Sequence, residues 1–496
     1  MLWCAFFGVD MSQLYPTILL CVYGFFSNLR PSEPFLTAFL MGPDKNLTET
    51  ELVNEIYPIW TYSYLVLLFP VFLATDYLCY KPVLILQAVS LVVTYFMLVK
   101  AQGVLAMQLL ELFFGLATAT DIAYYSYIYS VVEQAQYQRV TGYCRSITLL
   151  GSAAGSLAGQ LLVSVAQIRL LYLCIITLVS AILAFVAPWF LPMPSKSLFF
   201  HKRQGTEGEK PVHQNSRVPM DEAEDPESKV PLKIDEVTMV VTASDGGGAS
   251  SGLVDVLRIL WEDFLQCYSC PALLAWSVWW ALSTCGYFQL VNYVQALWEK
   301  VLPSQEFEIY NGYVETVSTL LGALAAFGVG SIKVSWAVWG ELALCIFSVV
   351  MAVAVYLMDT IRNIWVCYTS YVVFRATYML LITIATFQIA ANLSMQRYAL
   401  VFGVNTFIAL LLQTLLTVVV VDSVGLGLDI FPQFLIYASY FAVIAVIFLM
   451  AGLYKLVLRR RSQPAAQPQT DSGETESDCL SRDSPPLNEL QQITGT

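Results

Sequence analysis

Apolar runs long enough to cross a bilayer, which takes about 20 residues each, recur along this chain at roughly 14–40, 57–78, 83–101, 104–131, 138–166 and 169–192. After a polar interruption they resume at roughly 272–297, 309–331, 334–358, 364–391, 399–421 and 432–457. The pattern predicts an all-α membrane protein with twelve transmembrane helices in two six-helix bundles, residues 1–192 and 259–458. Residues 193–258 mix Pro, Gly, Ser, Lys and Glu, end in Ser244-Asp-Gly-Gly-Gly-Ala-Ser-Ser and lack apolar periodicity, so they read as a disordered cytoplasmic tether. Residues 459–496, rich in Ser, Thr, Gln and Pro, read as a disordered tail.

Composition agrees. Hydrophobic residues make up 57% and charged residues 12%, against roughly a quarter charged in soluble proteins. The net charge of −12 says little about the membrane core, because acids gather in solvated stretches such as Asp221-Glu-Ala-Glu-Asp-Pro-Glu. Basic residues at Lys81, Arg139, Lys196, Lys202, Lys333, Arg397 and Arg459 fall on one side if the spans alternate, which puts both termini and the tether in the cytoplasm. The segment from Met41 to Glu49 is then outside, and its Asn46-Leu-Thr48 is a glycosylation acceptor, whereas Asn392-Leu-Ser394 stays bare. Met1 to Ser12 has no basic leader, so the first span serves as its own signal. Cys267-Tyr-Ser-Cys270 has no second pair and no nearby His, so no metal is expected. Both histidines, His201 and His213, lie in the tether, which leaves any intramembrane proton transfer to carboxylates.

Small residues recur at Gly151, Gly155 and Gly159, and again at Gly322, Ala326 and Gly330. These ribbons permit close helix approach, either between the two halves or within one. Six spans, a tether and six more spans suit two bundles rocking about a site near the midplane. The polar inventory of the spans decides what such a site would hold. Its acids are Glu33, Glu111, Asp121, Glu315 and Glu341; its bases are Arg145 and Arg375, with Arg30 and Lys100 near predicted ends. Glu111, in an otherwise apolar run, costs several kcal/mol unless something stabilises it, and so reads as functional. Arg145 and Arg375 are expected to pair with acids, because an unpaired guanidinium in lipid is expensive. Tyr57 and Trp60 share a helix face at i and i+3, Phe114 stands beside Glu111, Tyr95 lies in the third span, and Trp279, Trp280 and Tyr287 accompany Asn292. Acids facing rings and an amide suit a small organic cation. A folate-like dianion would want an excess of cationic residues, which the spans do not obviously provide. No Walker A pattern is present, so ATP does not drive the chain directly.

Several runs also resemble a known family. Gly24-Phe-Phe-Ser-Asn-Leu-Arg-Pro-Ser-Glu-Pro-Phe-Leu, Asn54-Glu-Ile-Tyr-Pro-Ile-Trp, Ala123-Tyr-Tyr-Ser-Tyr-Ile-Tyr and Tyr398-Ala-Leu-Val-Phe-Gly-Val-Asn are similar to the reduced folate carrier family of solute carriers. Cys285-Gly-Tyr-Phe-Gln and Trp298-Glu-Lys-Val resemble its thiamine-transporting branch. The resemblance implies a major facilitator superfamily fold, a plasma-membrane location and uptake of thiamine, with no enzymatic activity and no cofactor. Its partners would be thiamine and the lipid bilayer, with no nucleic acid. Pyridoxine, a folate-like anion or a non-transporting receptor role are the alternatives. The family's binding positions match here as Glu33, Trp60, Glu111, Asn292 and Glu315, joined by Tyr57, Tyr95 and Phe114. On that resemblance Glu111 bonds the aminopyrimidine, Tyr57 and Trp60 stack on a ring, Glu33 and Glu315 set the potential for the thiazolium, and Asn292 fixes orientation. Asp121, Arg145 and Arg375 are candidates for coupling or ion pairing. Coupling is to protons, through Glu33, Glu111 or Asp121, or to the membrane potential, worth about 2.3 kcal/mol per charge per 100 mV. Phe114 stands where these relatives usually carry Tyr, Asp121 where they have Glu, and Ser152 where an aromatic is expected.

Overall fold

The computed structural model describes residues 11–78, 80–121, 123–124, 127, 131, 137–193, 268, 271–305, 308–331, 336–391 and 395–462. Nearly all of the tether, the tail beyond Ser462, Lys333, the Asn392 acceptor, Cys267 and Cys270 lie outside the described residues, as do the side chains of Glu341 and Arg397. The described chain is helical. Its first part comprises α1 (Met11–Asn28), α2 (Leu36–Met41), α3 (Tyr57–Tyr77), α4 (Lys81–Lys100), α5 (Val104–Ala119), α6 (Tyr137–Ser164) and α7 (Leu170–Val186). The second comprises α8 (Pro271–Val301), α9 (Asn311–Ser331), α10 (Trp336–Thr360), α11 (Ile364–Ala391), α12 (Met395–Leu416) and α13 (Ile430–Ser462). Seven of the described stretches are long and apolar enough to cross a membrane by length and composition. Helix α8 is not among them although it has 31 residues. It carries Ser277, Ser283, Thr284 and Gln289, all buried, and so spends its polar positions inside the protein.

Two expected spans are broken. The first apolar run is not one helix over 14–40: α1 stops at Asn28, a tight turn of 3-10 helix follows at Glu33–Phe35, and α2 resumes at Leu36. Pro31 and Pro34 account for this, since each lacks an amide hydrogen and disfavours helix in the residue before it. In the fourth run α5 ends at Ala119 with Thr120 as its cap, and the described residues beyond it, 121, 123, 124, 127 and 131, are again helical. The Thr118 and Thr120 hydroxyls donate to the carbonyls of Phe114 and Leu116 at 2.8 Å, which competes with the helical ladder. Glu33 lies within one interruption and Asp121 follows the other.

The glycine ribbon of α6 packs within its own half. A Cβ on Gly151 would stand 2.6 Å from the Phe25 carbonyl oxygen, one on Gly155 2.7 Å from the Arg30 nitrogen, and one on Gly159 2.4 Å from the Pro31 oxygen. The ribbon therefore seats α1 and the break that follows it. Gly322 likewise meets Met379 of α11 in its own half. The halves meet elsewhere on the same helices: a Cβ on Gly312 of α9 would stand 2.6 Å from the Ser156 oxygen of α6.

Polar contacts mark two opposite faces. On one, Arg169 pairs with Asp44 at 3.0 Å, Lys45 Nζ donates to the Ala101 carbonyl at 2.5 Å, and the exposed Asn46 sits in a turn at φ +52°. On the other, Lys81 Nζ donates to the carbonyls of Trp189 and Leu191, at 3.2 and 2.7 Å. Hydrogen bonds joining the halves gather toward the Asn46 face. Gln160 Nε2 donates to the Ile309 carbonyl at 2.6 Å, Asn311 Nδ2 to the Pro34 carbonyl at 3.0 Å, and Tyr62 to Asp422 at 2.5 Å. Asn54, in a segment of π-helix at Glu51–Ile56, donates to the carbonyls of Val421 and Leu428, and Val421 ends a second π-helical segment at Thr417–Val421. Lys300 pairs with Glu49 across the seam at 2.9 Å and also holds Asp429, beside a cavity of about 220 Å³ lined by Glu49, Asn54, Lys300 and Asp429. The side chains of Asp121 and Arg145 are exposed.

Candidate central binding site

Glu111 is 5% exposed, and no hydrogen bond or ion pair holds its carboxylate among the described residues. It lies on α5 against α3, where the Ser63 hydroxyl donates to the Glu111 backbone oxygen at 3.4 Å and a Cβ on Gly115 would strike that same hydroxyl. The close approach brings Trp60 of α3 opposite Phe114 of α5, ring centroids 6.4 Å apart. Trp60 Nε1 donates to the Thr118 hydroxyl at 3.2 Å, which fixes the indole plane. The indole also meets Phe288 of α8 edge-on at 6.4 Å, so it stands at the boundary of the halves. Tyr57, one turn earlier, shares a hydrogen bond of 2.8 Å with Thr37 and meets the Tyr293 ring edge-on at 6.0 Å.

Asn292 and Tyr293 supply the other wall. The Asn292 Nδ2 and the Tyr293 hydroxyl are both buried and lie near each other, and neither has another hydrogen-bond partner among the described residues. Such groups cost free energy when left bare, and a polar ligand is one way to satisfy them. Tyr293 lies close enough to Glu111 for their charges to interact, which puts an acid, an amide and a hydroxyl around one space.

The remaining predicted residues divide into two groups. Glu33 is half exposed at the helix break, with its carboxylate 3.6 Å from Arg30 and its backbone oxygen accepting from Gln295 Nε2 of the other half at 2.9 Å. Tyr95 is buried beside Arg30. Asp121 accepts from Gln87 Nε2 at 2.9 Å, and Gln87 in turn accepts from Tyr23 at 2.6 Å. In the second half, Arg375 binds Glu315 directly and donates to the Ser318 hydroxyl at 3.2 Å, while the Tyr371 hydroxyl donates to Glu315 at 2.7 Å. Glu315 is therefore neutralised by its own arginine. Arg145 does not pair as expected: among the described residues it makes no ion pair, and its exposure to water removes the need for one. Arg30, set aside from sequence as a residue near a span end, lies instead among the site residues, with its guanidinium 5.8 Å from the centre of the Phe114 ring. The Arg-Pro-Ser-Glu-Pro run, with its two helix-breaking prolines, was the available signal.

The reduced folate carrier family model matches residues 12–436. The chain belongs to the reduced folate carrier family. This carrier is 62% identical to human thiamine transporter 1 over 474 residues, which cover 93% of this chain and 94% of that one. It is 49% identical to human thiamine transporter 2 over 490 residues, covering 95% and 98% of the two chains. Among solved structures, the nucleoside transporter NupG superposes with a TM-score of 0.59 at 14% identity, covering 88% of this chain and 99% of that one. That likeness concerns the fold alone, and the fold is of the major facilitator type. The family is one of membrane carriers, so the protein is a multi-pass membrane transporter and not an enzyme.

Proposed function

We propose that this carrier takes up thiamine across the plasma membrane by alternating access, with residues 1–192 and 259–458 as the two moving bundles. The observation that carries the reading is the buried, unpaired Glu111 carboxylate facing the Trp60 and Tyr57 side of α3 and the bare amide and hydroxyl of Asn292 and Tyr293. A permanent organic cation with an aminopyrimidine would answer both needs: its amino group donates to Glu111, and its rings lie against Trp60. The 62% identity to a protein named as a thiamine transporter supports the same substrate. Termini and tether lie in the cytoplasm in this reading, Asn46 carries glycan outside, and the sealed seam is the outer one. An anion carrier of folate type would draw on free arginines at the midplane; of the two candidate bases Arg375 is occupied by Glu315, and Arg145 makes no ion pair among the described residues.

The test is uptake of radiolabelled thiamine into proteoliposomes. Wild type should accumulate the label, and Glu111→Gln should lower uptake at least about tenfold, as loss of a hydrogen bond to a charged group implies. Wild-type accumulation equal to that of empty vesicles would end the transport reading. Imposing a pH gradient and a potential separately assigns the coupling: dependence on the gradient points to Glu33, Glu111 or Asp121 as the proton carrier, dependence on the potential to the substrate's own charge.

A further inference from the structure

In the first half the place for a cation is already taken by a side chain of the protein. Arg30 stands in the break after α1, its Nε donating to the Ser27 carbonyl at 2.6 Å. Its guanidinium carbon lies 5.8 Å from the Phe114 ring centroid, and a terminal nitrogen is 3.6 Å from Glu33 Oε1. An aromatic face and a carboxylate are the groups an organic cation seeks, and these two belong to the proposed thiamine site. Arg30 holds Glu33 loosely, since 3.6 Å is too long for a hydrogen bond, and is otherwise tied to the Ser27 carbonyl and the Tyr95 side chain. Arg375 differs: it donates to Glu315, Ser318 and Tyr371 and is fixed.

Resting on the thiamine reading above, we infer that Arg30 is a tethered stand-in for the substrate's charge, covering Phe114 and Glu33 until a cation displaces it. Arg30 is then a specificity-determining residue, because a neutral solute cannot replace a guanidinium on a carboxylate. Asp121 is where the displaced group goes. Its side chain is exposed, its described hydrogen bond comes from Gln87 alone, and it is near enough to Arg30 for their charges to interact. A guanidinium received by Asp121 is not stranded, which keeps the displacement from leaving an unpaired charge behind.

Thiamine binding to the purified full-length carrier, measured by titration calorimetry, tests this. Arg30→Gln should bind thiamine about tenfold more tightly than wild type, the scale of one cation–ring contact with its ion pair. Arg362→Gln, which removes an exposed arginine of the other half that stacks on Phe431, should change affinity by less than about twofold, as expected for a screened charge. A neutral aminopyrimidine lacking the thiazolium should gain nothing from Arg30→Gln. If wild type binds thiamine and Arg30→Gln binds it no better, or if Arg362→Gln gains as much, the stand-in role is wrong while the thiamine reading survives. Wild type that binds no thiamine ends both. Should Arg30→Gln fail to fold, Asp121→Asn carries the test: it should weaken thiamine about tenfold and leave the neutral pyrimidine unchanged, with Glu55→Gln as the remote acid control. Equal effects of the two acid substitutions, or none, would overturn the inference.

Discussion

Trp60 shows how much one side chain can be asked to do. It faces Phe114 across the α3–α5 contact and Phe288 across the seam, with its indole nitrogen tied to Thr118. Trp60→Ala should weaken thiamine binding by about ten- to thirtyfold, the range for a desolvated ring against a cation, while the melting temperature stays within a few degrees; unchanged affinity in a binding assay would count against the stacking role. The Glu315–Arg375 pair makes a different demand. Both side chains are mostly buried, at 17% and 15% exposed, so Arg375→Gln leaves a carboxylate uncompensated and should cost roughly 3 kcal/mol. The double change Glu315→Gln with Arg375→Gln should recover most of that loss in thermal unfolding, because no charge is then stranded. Legibility at this scale was uneven. Glu111, Trp60 and Tyr57 could be read from sequence because an acid in an apolar run and an i, i+3 pair are local signals. That Arg375 chooses Glu315 could not be read: 60 residues separate them, and any of several acids would have satisfied the guanidinium.

At the scale of elements, the breaks in the first and fourth spans matter more than the spans themselves. Each sets a carboxylate beside it, Glu33 within the first and Asp121 just after the second. The first break is held by the α6 ribbon, which tolerates no side chain facing it: a Cβ on Gly159 would come within 2.4 Å of the Pro31 oxygen. Gly159→Val should therefore push the Arg30 to Glu33 backbone out of place, costing about 1–3 kcal/mol and lowering thiamine affinity together with thermal stability. A stable variant with native affinity would mean that the ribbon is not what positions Glu33. Sequence alone allowed the ribbon to face either half, since small residues at fourfold spacing specify close approach and not the partner.

The molecule as a whole is sealed on the Asn46 side by bonds between halves, of which Lys300 to Glu49 is the one ion pair among the described residues that crosses the seam. Burial pushes the Lys300 ammonium downward in pKa, but Asp429 and Glu49 beside it prevail and raise it; burial pushes the Asp429 carboxyl upward, but Lys300 prevails and lowers it. The lowered acid contributes above its ordinary value and is lost as pH falls through its folded one; the raised amine contributes below its ordinary value and is lost as pH rises through its folded one. Seam closure should thus be level from about pH 5 to 9, inside the ordinary values of about 3.9 and 10.4, and weaken only outside them. Lys300→Gln should open it at neutral pH. A cysteine at Val53, in the seam cavity, reports this through labelling by an impermeant maleimide: faster labelling with Lys300→Gln is expected, and an unchanged rate would show that other bonds keep the seam shut. The sequence by itself determined that the chain is helical, lies in a membrane, belongs with a family of carriers and holds acids and rings in its spans, because hydrophobic length, proline breaks and buried charge are written locally. Tertiary structure alone decided that Arg375 neutralises Glu315, that Arg30 covers Phe114, that the glycine ribbon faces α1 and that the closed seam lies on the Asn46 side. Those outcomes depend on which distant groups meet in a low-dielectric interior, where the nearest partner sets the charge each residue presents.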